Sequence, residues 1–467
     1  MKNKTQLLGN EPVGKLLIRL SVPATIGMIV NGLYNLVDTI FVGRGAGPMA
    51  IAGLTIAFPI QMLLMGFAQT YGVGGASIVS RRLGEGRDEE AASVAGSALS
   101  ISFITAIVVS ALGLLFIEPV LKGFGASETI LPFAREYMSV IFFGSPFLAI
   151  AMTGNNLSRA EGQAKIAMMT MIIGTGLNII LDPIFIFEWI GFTLSGLRIG
   201  IYGLNLGIRG AAIATVISQF CAFLYIVYFY KRGGSHLPLK RRSFKIQFKY
   251  VKEMVLLGVP TFVRQAGMSL LAIVINNSLK IYGGDISIAA YGMINRVLMF
   301  IFMPLFGIVQ GYQPIAGYNF GAKKYDRLAQ VNRISFITTT AMSLFGFMLI
   351  QLLPRLLMGM FTTDKELIHV ATSAIRKMTL ALPLIGIQVI GGTYFQSVGK
   401  AGPAMFLGLS RQFIFLIPLV LFLPPLMGVN GIWFSTPIAD VLSTVLTVLW
   451  MALSWNKMQK QIKMGMI

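Results

Sequence analysis

The chain has 467 residues, 55% of them hydrophobic and only 12% charged, where an ordinary soluble domain spends about a quarter of its residues on charge. These proportions exclude a soluble enzyme, and the single cysteine, Cys221, lies in an apolar block, which excludes an intrachain disulfide framework or a cysteine metal site. The formal net charge of +20 then calls for either a nucleic-acid face or a membrane-orientation signal.

The first 20 residues are polar and carry no short apolar core followed by a small-residue cleavage site. The first span is therefore expected to act as its own insertion signal. Gly9 to Leu16 has the glycine and lysine spacing of a phosphate loop, but Leu16 stands where Ser or Thr would hold magnesium. ATP hydrolysis is not expected. Apolar runs near or above the roughly 20 residues that cross a hydrocarbon core then predict about twelve spans. They lie near 20–43, 50–79, 92–117, 136–157, 166–187, 210–230, 254–279, 286–316, 334–354, 378–398, 402–425 and 430–455. His236 and His369 fall in polar connections, so no buried histidine relay is expected.

With the N-terminus inside, the inner segments hold 25 of the 38 Lys and Arg, from Lys2, Lys4, Lys15 and Arg19 to Lys457, Lys460 and Lys463. Outer connections hold 10, and Arg264, Arg296 and Arg411 lie within spans. The positive-inside rule places both termini in the cytoplasm of a plasma (inner) membrane protein. No nucleic acid is needed to explain the charge. Residues 231–252, with eight cations, read first as a topology-fixing linker and second as a site for anionic lipid.

The second half echoes the first. Val22-Pro23 matches Val259-Pro260, Ile51-Ala52 matches Ile288-Ala289, and Gly74, Gly84, Gly154 and Gly162 match Gly311, Gly321, Gly391 and Gly399, all at a shift of 237. Gly207, Gly210 and Thr215 match Gly428, Gly431 and Thr436 at a shift of 221, which leaves 16 extra residues near 188–206 in the first half. Six spans per half is even, so the halves enter the membrane from the same side as parallel repeats with a cleft between them. The expected organisation is a bundle over residues 1–230, a cytoplasmic linker over 231–250 with Gly233-Gly234 and Pro238, and a bundle over 251–467.

Ionisable groups inside spans are costly and mark functional sites by default. Asn31, Tyr34, Asn35 and Asp38 form one helical stripe. Asn178 and Asp182 are i, i+4 neighbours, and Thr215, Ser218 and Gln219 make a similar face. Asp38, Asp182 and Thr215 each lie roughly 7–10 Å below the outer face at about 1.5 Å per residue. Two carboxylates with neutral oxygens suit a bare monovalent cation or a proton shared between the acids, and the residues leave both open. The repeat argues against a purely structural role: Asp38, Asn178 and Asp182 become Ile275, Phe415 and Leu419 in the second half. There, Arg264, Arg296, Arg411 and Asp440, with Gln265, Asn295, Gln310, Gln313, Gln388 and Gln412, read as a neutralising network or a cleft lining. Some of the 26 Met and 33 Phe would suit an adaptable apolar pocket, although most are core or lipid-facing.

The run Leu33-Tyr34-Asn35-Leu36-Val37-Asp38, the turn Gly84-Glu85-Gly86, the run Asn178-Ile179-Ile180-Leu181-Asp182-Pro183 and the run Gly210-Ala211-Ala212-Ile213-Ala214-Thr215 resemble the multidrug and toxic compound extrusion (MATE) transporters. Gln313-Pro314 and Asn319-Phe320-Gly321-Ala322 do so too. The resemblance implies an ion-driven antiporter, not an enzyme, that expels amphipathic organic compounds, often cationic, against protons or sodium ions. It carries the coupling site onto Asp38, Asn178, Asp182 and Thr215, and a cargo cavity onto Asn31, Tyr34, Gln61, Met65 and Asn155. One departure from the family is that residues 254–284 and 368–397 contain no Asp or Glu, so no second-bundle cation site is expected. The fold expected is an all-α polytopic membrane protein of about 12 transmembrane helices in two parallel six-helix bundles around a central cleft. It works as a monomer among membrane lipids on small amphipathic organic substrates, with no cofactor or metal beyond the coupling proton or sodium. The alternative is a flippase for a lipid-linked cell-envelope intermediate, which the three in-span Arg favour.

Overall fold

The computed structural model describes residues 6–194, 197–232 and 234–464; Lys2, Lys4 and Gly233, named above, lie outside them. Among the described residues, eleven helices are long and apolar enough to cross a membrane, and a bent pair makes a twelfth. The first six are α1 (Val13–Ala46), α2 (Pro48–Gly84), α3 (Asp88–Leu115), α4 (Leu131–Ala160), α5 (Ala164–Ile186) and α6 (Gly207–Lys231). The second six are α7 (Phe248–Tyr282), α8 (Gly284–Gly321), α9 (Tyr325–Leu352), α10 (Lys365–Met378 with Leu382–Ser397), α11 (Ala401–Met427) and α12 (Val429–Lys463). The protein is therefore an all-α polytopic membrane protein. Each expected span falls on one of these helices, except that the tenth is broken by 45° between Met378 and Leu382. The first limb of α10 is polar and amphipathic, so a reading of apolar runs found only the second.

The 16-residue excess of the first half is a two-stranded antiparallel ribbon, β1 (Trp189–Leu194) and β2 (Leu197–Tyr202), with Trp189 opposite Tyr202 and Leu194 opposite Leu197. It marks one end of the first bundle, called here the ribbon end.

The backbone repeats as the sequence does. Left-handed residues occur at Gly47 and Gly284, at Gly86 and Lys323, and at Gly162 and Gly399, each pair 237 apart, and at Gly207 and Gly428, 221 apart. A positive φ is cheap only without a Cβ, so two of the glycine identities read from sequence, Gly162 with Gly399 and Gly207 with Gly428, are turns between spans held in the same geometry twice. Lys323 is the one partner that is not glycine. Close approach adds a second constraint. A Cβ on Gly84 would lie 2.1 Å from the Tyr318 carbonyl oxygen, and one on Gly321 would lie 2.1 Å from that of Arg81. Gly84 and Gly321, and Arg81 and Tyr318, are repeat mates, so the ends of α2 and α8 cross about a local two-fold axis.

By packing, the chain divides into two compact units. One holds residues 26–79 and 88–258; the other holds the N-terminal residues through Thr25, residues 80–87 and residues 259–467. Packing thus assigns the start of α1 to the second unit and the start of α7, through Gly258, to the first. In the second unit, the N-terminal segment is held on α8 and α9: Asn319 Nδ2 donates to the Leu8 carbonyl at 3.0 Å, Lys324 Nζ to that of Gly9 at 2.9 Å, and an Arg327 terminal nitrogen to that of Glu11 at 2.6 Å. Gly9 to Leu16 is accordingly a docked helix-and-turn segment, not a phosphate loop.

The first unit buries Ile60, Leu64, Leu131, Tyr137, Met138, Ile141, Phe142, Ile186 and Ile208 in one apolar cluster, and small residues of α6, Ala211, Ala212 and Ala214, are fully buried. Small side chains let helices approach closely where lipid offers no hydrophobic drive. Buried hydroxyls and amides tie helices together: Ser110 to Ser145, Thr153 to Ser102 at 2.9 Å, and Asn156 to Gln69 at 2.9 Å. Leu115, Phe143 and Leu352 are among the large apolar side chains left exposed, as a lipid-facing surface requires.

The linker is docked rather than free. Glu161, just beyond α4, is buried, and its Oε2 accepts from Ser235 Oγ at 2.7 Å and from the His236 amide at 2.8 Å. Ser97 and Ser100 of α3 donate to the carbonyls of Lys245 and Phe244 at 3.0 and 2.9 Å. Glu161 Oε1 is buried and accepts nothing. Burial penalises the Glu161 charge more than these bonds restore it, and the carboxyl is pushed up from its ordinary 4.5 to about 7. A raised carboxyl contributes stability that is complete below the unfolded value and is lost as pH rises through about 7, a swing of about 3 kcal/mol. Glu161→Gln should therefore raise the thermal midpoint in detergent at pH ~8 and leave it unchanged at pH ~5. Equal midpoints at both pH values would show that the carboxyl is ionised in place.

Candidate functional site

In the first unit five helices send polar groups to one point near the ribbon end. α1 supplies Tyr34 and Asp38, one turn apart on one face. α5 supplies Asn178 and Asp182, again one turn apart, on a helix that closes with Pro183 in its last turn. Thr215 comes from α6, Tyr137 from α4 and Gln61 from α2. The depth match inferred from residue counting is thus realised in three dimensions.

The carboxyls of Asp38 and Asp182 approach each other at hydrogen-bonding range. Asn178 Nδ2 donates to Asp182 Oδ1 at 3.1 Å and to Thr215 Oγ1 at 3.3 Å, while Thr215 donates its own proton to the Ala211 carbonyl at 2.9 Å. The hydroxyls of Tyr34 and Tyr137 face Thr215, and that of Tyr137 also meets Gln61. Asp182 and Asn178 are 0% and 1% exposed. Asp38 Oδ1, Asn178 Oδ1 and Asp182 Oδ2 are buried and accept no hydrogen bond, as is Gln219 Oε1 one turn further along α6. Among the described residues no Lys, Arg or His pairs with either acid.

This inventory has a direct electrostatic reading. Two full negative charges at hydrogen-bonding range repel by several kcal/mol even at an effective dielectric of about 20, and each buried acceptor without a donor costs about 1–3 kcal/mol more. The arrangement is relieved by one proton held between the acids, or by one small cation taking oxygens from Asp38, Asp182, Asn178 and Thr215. Both chemistries fit the donor set.

All four residues assigned to coupling are brought together, and Tyr34 joins them. Gln61 reaches the cluster through Tyr137. Asn31 and Met65 are half-buried one turn from Tyr34 and Gln61 respectively, while Asn35 lies outside the described side chains. Asn155 is not in the cluster: it sits near the opposite end of α4, and its Nδ2 donates to the Ala167 carbonyl at 2.6 Å. Tyr137 was missed. The signal existed, since it lies six residues from the start of α4 and so at the same depth, but a span drawn from 136 placed it at an edge.

The repeat-related positions in the second unit are apolar core. Ile275 is 3% exposed in that unit's main cluster, and Phe415 and Leu419 pack against it. The polar residues of the second half gather elsewhere. Arg411 Nε donates to Asp440 Oδ1 at 2.5 Å, and Gln388 Nε2 donates to Ser443 Oγ at 2.6 Å. Arg264 and Arg296 are exposed on α7 and α8.

Comparisons with known proteins agree with this architecture. The MatE family model matches residues 23–184 and 260–422, two segments that begin 237 residues apart. Multidrug export protein MepA of Staphylococcus aureus is 26% identical over 438 residues, covering 94% of this chain and 93% of its own. The MATE multidrug transporter DinF-BH, solved with a bound compound, is 42% identical with a TM-score of 0.87, covering 97% and 98%. A MOP superfamily transporter from Pyrococcus furiosus, whose binding pocket is described as having reverse polarity, is 27% identical with a TM-score of 0.88, covering 97% and 98%.

If the acid pair is held against its own repulsion, an amide at one position supplies the missing donor. Asp182→Asn should keep or raise the thermal midpoint at neutral pH, while Tyr137→Phe, which strips a hydroxyl from Gln61 and Thr215, should cost about 1 kcal/mol. A clear drop for Asp182→Asn would show that the charged pair is already satisfied.

Proposed function

The chain belongs to the MatE family and is a membrane transporter, not an enzyme, and on that premise we propose that it is a secondary antiporter exporting amphipathic organic compounds, often cationic, in exchange for protons. The observation that carries the coupling is the Asp38–Asp182 pair, two carboxyls at hydrogen-bonding range with buried oxygens that no donor serves. Homologues that export multiple drugs support the cargo class. In this reading the pair that shares one proton carries a single negative charge and is stable where it stands. Loss of the proton leaves two adjacent charges, and because Asp38 rides on α1 and Asp182 on α5, relief requires those helices to part. Proton and cargo are then linked if each prefers a different helix arrangement. Tyr34, Gln61 and Met65 line the approach to the pair, with Asn31 one turn further along α1. Both termini lie in the cytoplasm of the inner membrane by the positive-inside rule, and the monomer, surrounded by lipid, is the working unit.

Sodium is the other coupling ion that the oxygen set accommodates. A flippase for a lipid-linked cell-envelope intermediate is the second reading, favoured by three in-span Arg against one Asp in the second half.

Efflux of a fluorescent organic cation from proteoliposomes, under a proton gradient alone and a sodium gradient alone, separates these readings. Wild type should transport under the proton gradient. Asp38→Asn and Asp182→Asn should abolish gradient-driven efflux while inserting normally, and Ile275→Asn at the mirrored position should do far less. Sodium-driven efflux would change the ion, no efflux under either would favour the flippase, and equal losses at Asp38 and Ile275 would remove the first-unit site.

A further inference from the structure

The second unit holds a charged group that the coupling scheme leaves unused. Arg411 stands second in a π-helical stretch, Ser410–Leu416, inside α11. It lies ten residues, about 15 Å, from the start of that helix, and its partner Asp440 lies at a similar depth in α12. A π turn in an otherwise α-helical span is rare and recurs at functional sites. Here it sets Arg411 toward Asp440 and leaves the neighbouring Gln412 buried, with its Oε1 unpartnered.

The pair is lopsided. Asp440 is 2% exposed at its side chain, whereas Arg411 is 31% exposed. Only Nε of Arg411 is engaged, by Asp440 Oδ1 at 2.5 Å. Its two terminal nitrogens, with four N–H donors, bond to nothing among the described residues. A pair that served only to neutralise charge would bury the fork against the acid, since a half-used guanidinium inside a membrane is costly. Around the fork, Tyr291 of α8 lies within electrostatic range of Arg411 and meets Asn295 one turn on. Gln388, bonded to Ser443 beside Asp440, also has a buried unpartnered Oε1. Arg264 and Arg296, exposed in neighbouring spans, have no hydrogen bond or ion pair among the described residues and leave this half cationic.

Two parallel N–H donors on a planar fork match the paired oxygens of a carboxylate or phosphate. We infer that Arg411, oriented through Nε by Asp440, is a specificity-determining residue that binds the oxyanion of an amphipathic molecule, with the unpartnered glutamine oxygens taking N–H or O–H groups beside it. The inference deepens the export reading and rests on it: the second unit extends the cargo from organic cations to zwitterions carrying a carboxylate. Asp440 is a positioning residue.

The test compares one chromophore in two forms, a cationic rhodamine ethyl ester and its hydrolysed free acid, by fluorescence anisotropy on purified protein in phosphatidylcholine nanodiscs without any gradient. Wild type should bind the free acid about tenfold more tightly than the ester, the factor expected of one charge-assisted pair. Arg411→Gln should erase that ratio while leaving the ester affinity intact, which also reports a folded protein. Arg411→Lys should give an intermediate ratio, and Asp440→Asn should lower it. Repeating the wild-type titration in phosphatidylglycerol nanodiscs identifies the source of the oxyanion. Loss of the ratio there assigns the site to a lipid phosphate, and retention assigns it to a carboxylate cargo. A wild-type ratio of one, or equal weakening of both dyes by Arg411→Gln, overturns the proposal. Because binding is read without transport, failed efflux would sink the export reading and leave this result standing.

Discussion

Two carboxyl groups meet inside a membrane with no Lys, Arg or His beside them among the described residues, and much of the first unit can be understood as the means of keeping them there. Asp38 and Asp182 sit on different helices, so their approach is fixed by how α1 packs against α5 and by α6 behind them. The small residues of α6 bring its backbone close, Thr215 anchors to the Ala211 carbonyl, and Asn178 bridges Asp182 to Thr215. The Asn178 amide and the Thr215 hydroxyl have their protons committed, and the buried acceptors that remain belong to the acids, Asn178 and Gln219. A site short of donors by this margin would be relieved by a proton or a small cation, which is the property the proposed coupling uses.

The second unit shows what the same helical plan looks like without that constraint. Its left-handed turns recur in register, and its α8 crosses the end of α2 through glycine at both mirrored positions. Yet the places of Asp38, Asn178 and Asp182 are filled by Ile275, Phe415 and Leu419, which pack as core. Duplication preserved what the backbone requires and released what the chemistry required. Its polar residues collect instead around Arg411 and Asp440, where charge is of the opposite balance. One unit is thus short of donors and the other has donors to spare.

The linker ties chemistry to connectivity. Glu161 takes the first residues after α6 into a buried bond, and α3 takes the stretch before α7. The chain between the repeats is therefore part of the first unit as far as Gly258, and α7 starts in one unit and ends in the other. The same holds for α1, and the segment just before it is clamped by Asn319, Lys324 and Arg327. Val22-Pro23 and Val259-Pro260 stand near these changes of unit, where a proline removes a helical hydrogen bond. The repeated Val-Pro identity was visible in the sequence; its place at the boundary was not.

How far the residues alone carry the argument follows from which forces are local. Spans, their number and the repeat are legible because a hydrocarbon core demands long apolar runs and because a positive φ demands glycine, both readable one segment at a time. The grouping of Asp38, Asn178, Asp182 and Thr215 was also accessible, since depth in a membrane is nearly a count of residues. Rotation about each helix axis is not a count. It placed Tyr137 in the cluster and turned Asn155 to a backbone carbonyl near the other end of α4. The break in α10 and the π turn at Arg411 were likewise decided by packing, because their local sequence permits a straight helix. The amino-acid sequence by itself determined a twelve-span duplicated transporter with two of its three in-span acids, Asp38 and Asp182, in the first half. Only the tertiary structure decided that those two acids meet, which helices they lock, and that Arg411 keeps four of its five N–H donors unspent among the described residues, because these depend on side-chain directions that no single helix specifies.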